Sequence, residues 1–434
     1  MNRSGILRTA VAVAASSVCL TSGAAGAWAQ SEAPAPTRLA PHAAPQTGRA
    51  DAVQDAKQAA ALSLREAYAA GHVKGAVAGT LAAADDVHLD RLPIQSGNRF
   101  RASVASANSA ILAAKGLPAS TGNVLQVRLA NPQARAALAK GVQPLIATEP
   151  SDRQATSLTA YRPDGTAVQL GATAPVDVPV LLVTTDSDRI VAAGTKVMSE
   201  GFRAARPQTG ADSGGRLSAL KPMTAAARHA ASRTAPLAAA AGHRPSAATR
   251  TAGRAADAGG KNVTRINDVR LLKSNEETFW KGGAEAFALV SGWDKNDKAF
   301  AEPALQMPYL DDVDEDYRPQ QNLIDWSHFG YDSADLVFLE EDDGTNYRDL
   351  TKAIVDALLT VTGYGTTGIP LANTIMDAIP DKWWTDDTDE LDQVYSVSHG
   401  DIAKAQSSGA AGLTYRGAGG NISIGLGNAF IPKT

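Results

Sequence analysis

The sequence predicts an α+β protein with a small α+β N-terminal domain and a mainly-β, sandwich-like C-terminal domain that carries a helical insertion. Three observations predict this fold class. Apolar residues recur at helical spacing near the N-terminus, and short apolar runs bounded by turn residues dominate the last third of the chain. Between them lies a long segment with almost no large apolar residue, which indicates a linker.

The first 29 residues have the pattern of a cleavable signal peptide. Arg3 and Arg8 precede a short apolar stretch over residues 9–20, and Ala27 and Ala29 are the small residues that a signal peptidase accepts. We expect cleavage after Ala29 and a secreted protein. The apolar stretch is too short to span a bilayer, and no later stretch predicts a transmembrane segment in the mature chain. Cys19, the only cysteine, lies within this signal, so we expect a mature protein without disulfides.

The charges divide sharply along the chain. From Val263 onward there are 29 acidic and 13 basic residues, a net charge of −16, and because the whole chain carries −4 the first 262 residues carry +12. The arginines of the basic half are scattered among Ala and Pro, with few aromatic residues to stack on bases. We therefore expect no nucleic acid among the partners.

The N-terminal domain is predicted over residues 51–203, after a disordered lead over residues 30–50. Helices are expected over 52–70, 101–115 and 132–140, and a strand over 124–129. Pro163, Asp164 and Gly165 join two alternating runs, 158–162 and 167–170, which predicts a hairpin. The apolar run 178–183 predicts a buried strand, with Pro179 at a sheet edge or at the strand start.

Residues 204–262 are rich in Ala, Arg, Pro and Ser. They contain too little apolar surface to offset the entropy of ordering, so a disordered basic linker is expected.

The C-terminal domain is predicted over residues 263–434. Short strands separated by acidic or Gly-containing loops favour a β-sandwich, and the segment 347–379 predicts a mostly helical insertion. The expected strands are 265–273, 284–291, 323–329, 335–340, 393–398, 413–416 and 421–426.

Three loops of this domain concentrate carboxylates. Calcium takes six to eight oxygen ligands, and crowded carboxylates repel one another unless a cation or solvent screens them. Two interpretations stay open, since the loops either bind a structural calcium ion or are solvated. The predicted calcium ligands are Asp311, Asp312, Asp314, Glu341, Asp342, Asp387 and Asp389. No other cofactor is predicted.

The usual catalytic motifs are absent from the sequence, which contains no HExxH, GxSxG or GxxxxGK[ST] pattern. His328 and His399 are the two histidines of the C-terminal domain, and an acid–base pair requires that the fold bring them together. Glu340 paired with Asp325 or Asp389 is a further carboxylate combination that the sequence leaves open. The sequence therefore identifies no catalytic residue.

Several phrases of the chain resemble a family of exported bacterial proteins known as domain of unknown function 3103. They are FWKGGAE with LVSG at residues 279–292, MPYL at 307–310 and LEEDDGTNY at 339–347, and the stretches 161–170 and 175–183 also look like that family. The resemblance implies no activity.

These observations favour a non-enzymatic exported binding or structural module whose partner is an extracellular ligand or protein. The alternative is a secreted hydrolase in which the N-terminal half is a pro-segment.

Overall fold

A computed structural model of the chain describes residues 47–84, 86–93, 98–150, 155–206, 259–273, 280, 285–310, 312–341, 343–361, 370–379 and 390–433. The predicted signal peptide lies outside these residues, as do residues 207–258 of the predicted linker. In the following, the N-terminal part is residues 47–206 and the C-terminal part is residues 259–433. Residues 43–434 belong to one compact unit.

The N-terminal part is built on a six-stranded sheet with the strand order β1-β2-β6-β3-β4-β5, in which only β3 and β6 run parallel. Its strands are β1 Asp86–His88, β2 Leu125–Leu129, β3 Leu145–Thr148, β4 Ser157–Tyr161, β5 Ala167–Gly171 and β6 Val180–Thr185. Its α-helices are α1 Thr47–Ala69, α2 Lys74–Ala83, α3 Asn98–Ala114, α4 Arg135–Ala139 and α5 Ser187–Ala205.

The C-terminal part contains two antiparallel sheets. One has the order β10-β8-β12-β13 with β9 paired to β8, and the other has the order β11-β7-β15-β14. The strands are β7 Gly260–Leu271, β8 Ala286–Trp293, β9 Ala299–Ala301, β10 Leu305–Met307, β11 Gln321–Asp325, β12 Ala334–Glu340, β13 Glu390–Val397, β14 Leu413–Arg416 and β15 Ile422–Pro432. The helices are α6 Tyr347–Thr360, α7 Leu371–Ala378 and α8 His399–Ser407.

The sheet that contains β8 and β12 is buried on both faces. Alternate side chains of these strands, such as Val290 and Phe338, join residues of β7 and β15 in one hydrophobic cluster, which we call the sandwich core. The side chains between them, such as Leu289 and Val337, join residues of α1, α3, α5, α6 and α7 in a second cluster, the shared core. The shared core therefore contains residues of both parts of the chain.

The predicted α+β class is confirmed, with eight α-helices and fifteen strands among the residues just described. The predicted strand over 178–183 is β6, and because Pro179 immediately precedes the first strand residue, this proline stands at the strand start. The predicted hairpin is formed by β4 and β5, and Gly165 in its turn has a φ of +94°.

Several elements lay outside the sequence predictions, namely α2, α5, α8, β1, β3, β9 and β10. The helix α1 begins at Thr47, before the expected start. Among the described residues, no helix is long and apolar enough to cross a membrane.

Candidate functional site

Three of the seven predicted calcium ligands fall within the described residues: Asp312, Asp314 and Glu341. Asp311, Asp342, Asp387 and Asp389 lie outside them. The three described carboxylates have different surroundings, and Glu341 is the most deeply buried of them.

Glu341 follows the last residue of β12 and is only 4% exposed. Its Oε1 accepts a hydrogen bond from the Nζ of Lys115, which is 1% exposed, and its Oε2 accepts one from the Tyr347 hydroxyl. A buried ion of this kind is tolerated only when an opposite charge and hydrogen bonds compensate it. Lys115 and Tyr347 provide this compensation, so both oxygens of Glu341 are engaged by the protein itself.

The end of α3 positions Lys115. Val104, Ala107 and Ile111 are buried along one face of this helix, and Lys115 continues the same spacing. The backbone N–H of Tyr347 donates to the Lys115 carbonyl at 3.0 Å, and the Asn346 amide donates to the Ala114 carbonyl at 2.6 Å. The start of α6 thus satisfies two carbonyls that α3 leaves free at its end.

A second ion pair lies in the same acidic segment. Lys57 on α1 is almost fully buried, and its Nζ lies 2.5 Å from the Oδ2 of Asp343. Two lysines of the N-terminal part therefore compensate two carboxylates of the C-terminal part. We call Lys57, Lys115, Glu341, Asp343 and Tyr347 the inter-part charge cluster.

Asp312 and Asp314 lie on a loop beside the end of β7. The backbone N–H of Asp314 donates to the Leu271 carbonyl at 2.8 Å, and the N–H of Asp312 donates to the Tyr317 hydroxyl at 3.0 Å. Asp314 has a φ of +61°, in the left-handed region where aspartate is tolerated. Within the described ranges, no group of three or more His, Asp or Glu residues is arranged to hold a metal ion. The calcium site remains a prediction.

A third group of ionisable residues surrounds His328, in the turn Trp326–His328 that follows β11. The Nδ1 of His328 lies 2.8 Å from the Oε1 of Glu302, a carboxylate that is 2% exposed. The guanidinium of Arg206 donates to the same oxygen at 3.0 Å and lies 4.3 Å from the centre of the Phe300 ring. Glu302 therefore holds a cation from the N-terminal part beside an imidazole of the C-terminal part.

Asp325 lies three residues before His328 and is also buried. Its carboxylate accepts hydrogen bonds from Lys261 Nζ at 2.7 Å and from the Ser327 hydroxyl at 2.6 Å. Burial by itself raises the pKa of Asp325, but these hydrogen bonds and the charge of His328 outweigh burial, so the pKa lies below its ordinary value.

The two histidines considered from the sequence have separate partners. His328 contacts Glu302, whereas the ring of His399 packs edge-on against Trp326 with the ring centres 5.6 Å apart. The hydroxyl of Ser327, next to His328, donates to Asp325. This arrangement orients an imidazole by a carboxylate, but it directs the neighbouring hydroxyl elsewhere.

The sequence reasoning missed Lys57, Lys115, Arg206 and Glu302. A signal for two of them was present, because Lys57 lies between Val53 and Ala60 on the apolar face of α1 and Lys115 extends the apolar face of α3. A charged residue on such a face indicates a buried charge with a partner.

The family described as "Protein of unknown function (DUF3103)" matches residues 75–427 of the chain. This match confirms the resemblance noted from the sequence phrases. No curated protein and no solved structure shows a significant match.

Proposed function

The chain belongs to the DUF3103 family of proteins of unknown function, and from this premise we propose that it is an exported, non-enzymatic binding or structural module. Its partner is an extracellular ligand or protein. The proposal treats the N-terminal part as a permanent component of the mature protein. The inter-part charge cluster supports this permanent role of the N-terminal part.

The buried Lys115–Glu341 ion pair stabilises the association of the N-terminal and C-terminal parts. Removing Lys115 alone leaves the carboxylate of Glu341 buried without its counter-ion, and such a loss costs about 3–5 kcal/mol. Removing the whole N-terminal part uncovers both Glu341 and Asp343 and strips the shared core from the β8–β12 sheet. These costs favour a protein in which both parts function together.

The alternative is a secreted hydrolase whose N-terminal part is a pro-segment. His328 is the group that favours it, because a buried carboxylate orients its imidazole as in many general bases. Two features weigh against it. Ser327 donates to Asp325, and Arg206, a residue of the proposed pro-segment, shares the Glu302 carboxylate with His328.

Export is supported by the pattern of residues 1–29, and we propose Gln30 as the mature N-terminus. Calcium binding remains part of the proposal. Because both oxygens of Glu341 accept hydrogen bonds from Lys115 and Tyr347, the proposed ligands are Asp312 and Asp314 together with Asp311, Asp342, Asp387 and Asp389.

Mass spectrometry of the protein purified from culture supernatant through a C-terminal tag tests the proposal. We expect a particle that begins at Gln30 and contains residues 30–206 and 259–434 in equal amounts, whether or not the chain between them has been cut. A purified mature protein that lacks residues 30–206 would refute the permanent role of the N-terminal part and favour the pro-segment alternative. Retention of Met1 or Arg3 in the exported protein would contradict the proposed cleavage site.

A further inference from the structure

The two ends of the connection between the parts are anchored at neighbouring places. Arg206, at the end of the N-terminal part, pairs with Glu302, and Lys261, at the start of the C-terminal part, pairs with Asp325. His328 links these places, because its imidazole contacts Glu302 and it lies in the turn Trp326–His328, which Asp325 caps. The chain that leaves at Arg206 therefore returns close to where it left.

The parts also meet through an apolar surface of the kind found between permanent subunits. The helices α1, α3 and α5 contribute buried residues to the shared core with β8, β12, α6 and α7. On the other face of the N-terminal sheet, Trp280 of the C-terminal part is 1% exposed among Leu145, Leu158 and Leu182. The carbonyl of Trp280 accepts a hydrogen bond from Arg128. The C-terminal part thus contacts the N-terminal part both through its helices and through the uncovered face of its sheet.

Two helices approach closely where the parts meet. Gly194 and Gly201 lie seven residues apart on α5, and they face Tyr347 and Thr351 at the start of α6. A β-carbon at either glycine would overlap the side chain opposite. Such a fit depends on complementary shape and does not require a covalent connection.

We propose that the N-terminal and C-terminal parts are binding partners in their own right, so that a cut between Arg206 and Gly259 leaves a stable two-chain protein. The inference deepens the proposed function, because it makes permanent association a property of the interface itself. A covalent connection only raises the effective concentration of one part for the other. The interface described above contains one buried ion pair, a second that is partly buried, and an extensive apolar core like that between permanent subunits.

The connecting sequence makes a cut of this kind relevant to a secreted protein. It contains Arg216, Arg228, Arg233, Arg250 and Arg254, and none of these arginines precedes a proline, so trypsin-like proteases can cleave after each of them. Cleavage at any of these residues leaves the anchoring residues Arg206 and Lys261 attached to their own parts.

The test uses the full chain with a site for a sequence-specific protease inserted between Ala239 and Ala240. After complete cleavage, we expect gel filtration to give one peak at the elution volume of the uncut protein, with both fragments in equal amounts on a denaturing gel. Elution of the two fragments in separate peaks, or precipitation of either one after the cut, would overturn the inference.

A matched pair of variants in the cleaved protein then identifies the contacts that hold the parts together. Lys115→Met removes a buried partner, so we expect dissociation on dilution to occur at a concentration at least about a hundredfold higher. Lys352→Met removes the exposed pair with Asp356 on α6 and should leave dissociation unchanged. Equal behaviour of the two variants would show that the inter-part charge cluster does not hold the parts together, and would refute its role.

The two proposals fail separately. A secreted protein that keeps residues 30–206 uncut, while the cleaved recombinant protein separates, would support the proposed function and refute this inference.

Discussion

Gly194 on α5 packs so closely against Tyr347 on α6 that a β-carbon built at Gly194 would overlap the tyrosine ring. Tyr347 is fully buried, and its hydroxyl donates a hydrogen bond to Glu341, which holds the ring in place. The two helices can pack this closely only because residue 194 is a glycine, which has no side chain.

Gly194→Ala should lower the free energy of unfolding of the full chain by about 1–3 kcal/mol, because the new methyl group overpacks the shared core. Chemical denaturation followed by circular dichroism measures the change. Gly79→Ala on α2 is the matched control, since no atom lies within 4 Å of a β-carbon there. In the control, the substitution should be neutral or raise stability by up to about 1 kcal/mol. A Gly194→Ala protein as stable as the Gly79→Ala protein would contradict the close packing.

Lys115→Met should reduce the free energy of unfolding by about 3–5 kcal/mol, because it leaves Glu341 buried without a cation. Adding Glu341→Gln to the same chain should recover part of this loss, since the amide carries no charge and retains an acceptor for the Tyr347 hydroxyl. Urea denaturation of the single and double variants measures both effects.

The control for this pair is Lys352→Met, whose side chain is 75% exposed and whose loss should change stability by less than about 1 kcal/mol. If the double variant is less stable than Lys115→Met alone, the charge of Glu341 is not what destabilises the Lys115→Met protein.

The burial of Lys57 shows how much of a protein core can be predicted from the sequence. The spacing of Val53, Ala60 and Leu64 predicts the buried face of α1, and it also places Lys57 on that face. The partner of Lys57 lies 286 residues away at Asp343, and helical periodicity carries no information about so distant a residue. Local patterns therefore indicate that a charge is buried, but they do not identify its counter-ion.

The strands illustrate the same limit. Pro163, Asp164 and Gly165 predict the hairpin of β4 and β5 because the turn is encoded by adjacent residues. The continuous burial of β8 and β12 arises because a helical layer from both parts covers the face opposite the sandwich core. An apolar run predicts such strands, but it does not reveal what covers each face.

Acid should weaken the fold partly through Asp325. Its pKa is lower in the folded protein than in the unfolded chain, so its stabilising contribution is complete above about pH 4 and is lost as the pH falls through the folded value. Asp325→Asn should therefore show a shallower fall in unfolding free energy below about pH 4 than the original protein. Denaturation curves at a series of pH values measure this slope.

Asp356→Asn provides the comparison for the acid experiment, since Asp356 is an exposed carboxylate paired with Lys352 on α6. In Asp356→Asn, the free energy of unfolding should fall below about pH 4 as steeply as it does in the original protein. Identical acid slopes for Asp325→Asn and the original protein would exclude Asp325 as a contributor.

Calcium should raise the melting temperature of the full chain more than sodium at matched ionic strength or magnesium. A ligand that binds only the folded state stabilises it by about 2.7 kcal/mol at one hundred times its dissociation constant, whereas screening of dispersed carboxylates does not depend on ion identity. Differential scanning calorimetry in the three salts measures the effect.

The double variant Asp312→Asn/Asp314→Asn should lose the calcium-specific shift, with Asp356→Asn as the control that keeps it. A melting temperature that rises equally in all three salts, or in none, would eliminate the calcium site and leave solvated acidic loops.

Mild trypsin treatment should cut the chain first between Arg203 and Lys261, because the sequence there is rich in arginine and poor in large apolar residues. Intact-mass analysis over a time course identifies the first products. Within residues 284–338 trypsin can cut only after Lys295 and Lys298, which are exposed and lie outside β8 and β12. Earliest cuts there would contradict the prediction that the connection between the parts is the most accessible segment.

The pairing of β7 with β15 sets the order in which the sandwich core can be completed. Gly260 lies opposite Pro432 and Leu271 lies opposite Ile422, so the first strand of the C-terminal part needs the last strand of the chain as its neighbour. Closing so long a loop is entropically costly, and non-local strand pairing is slow. A polypeptide that emerges N-terminus first from the ribosome therefore completes this sheet only after residues 422–432 have emerged. Until then β7 lacks its neighbour β15, so the sandwich core stays incomplete.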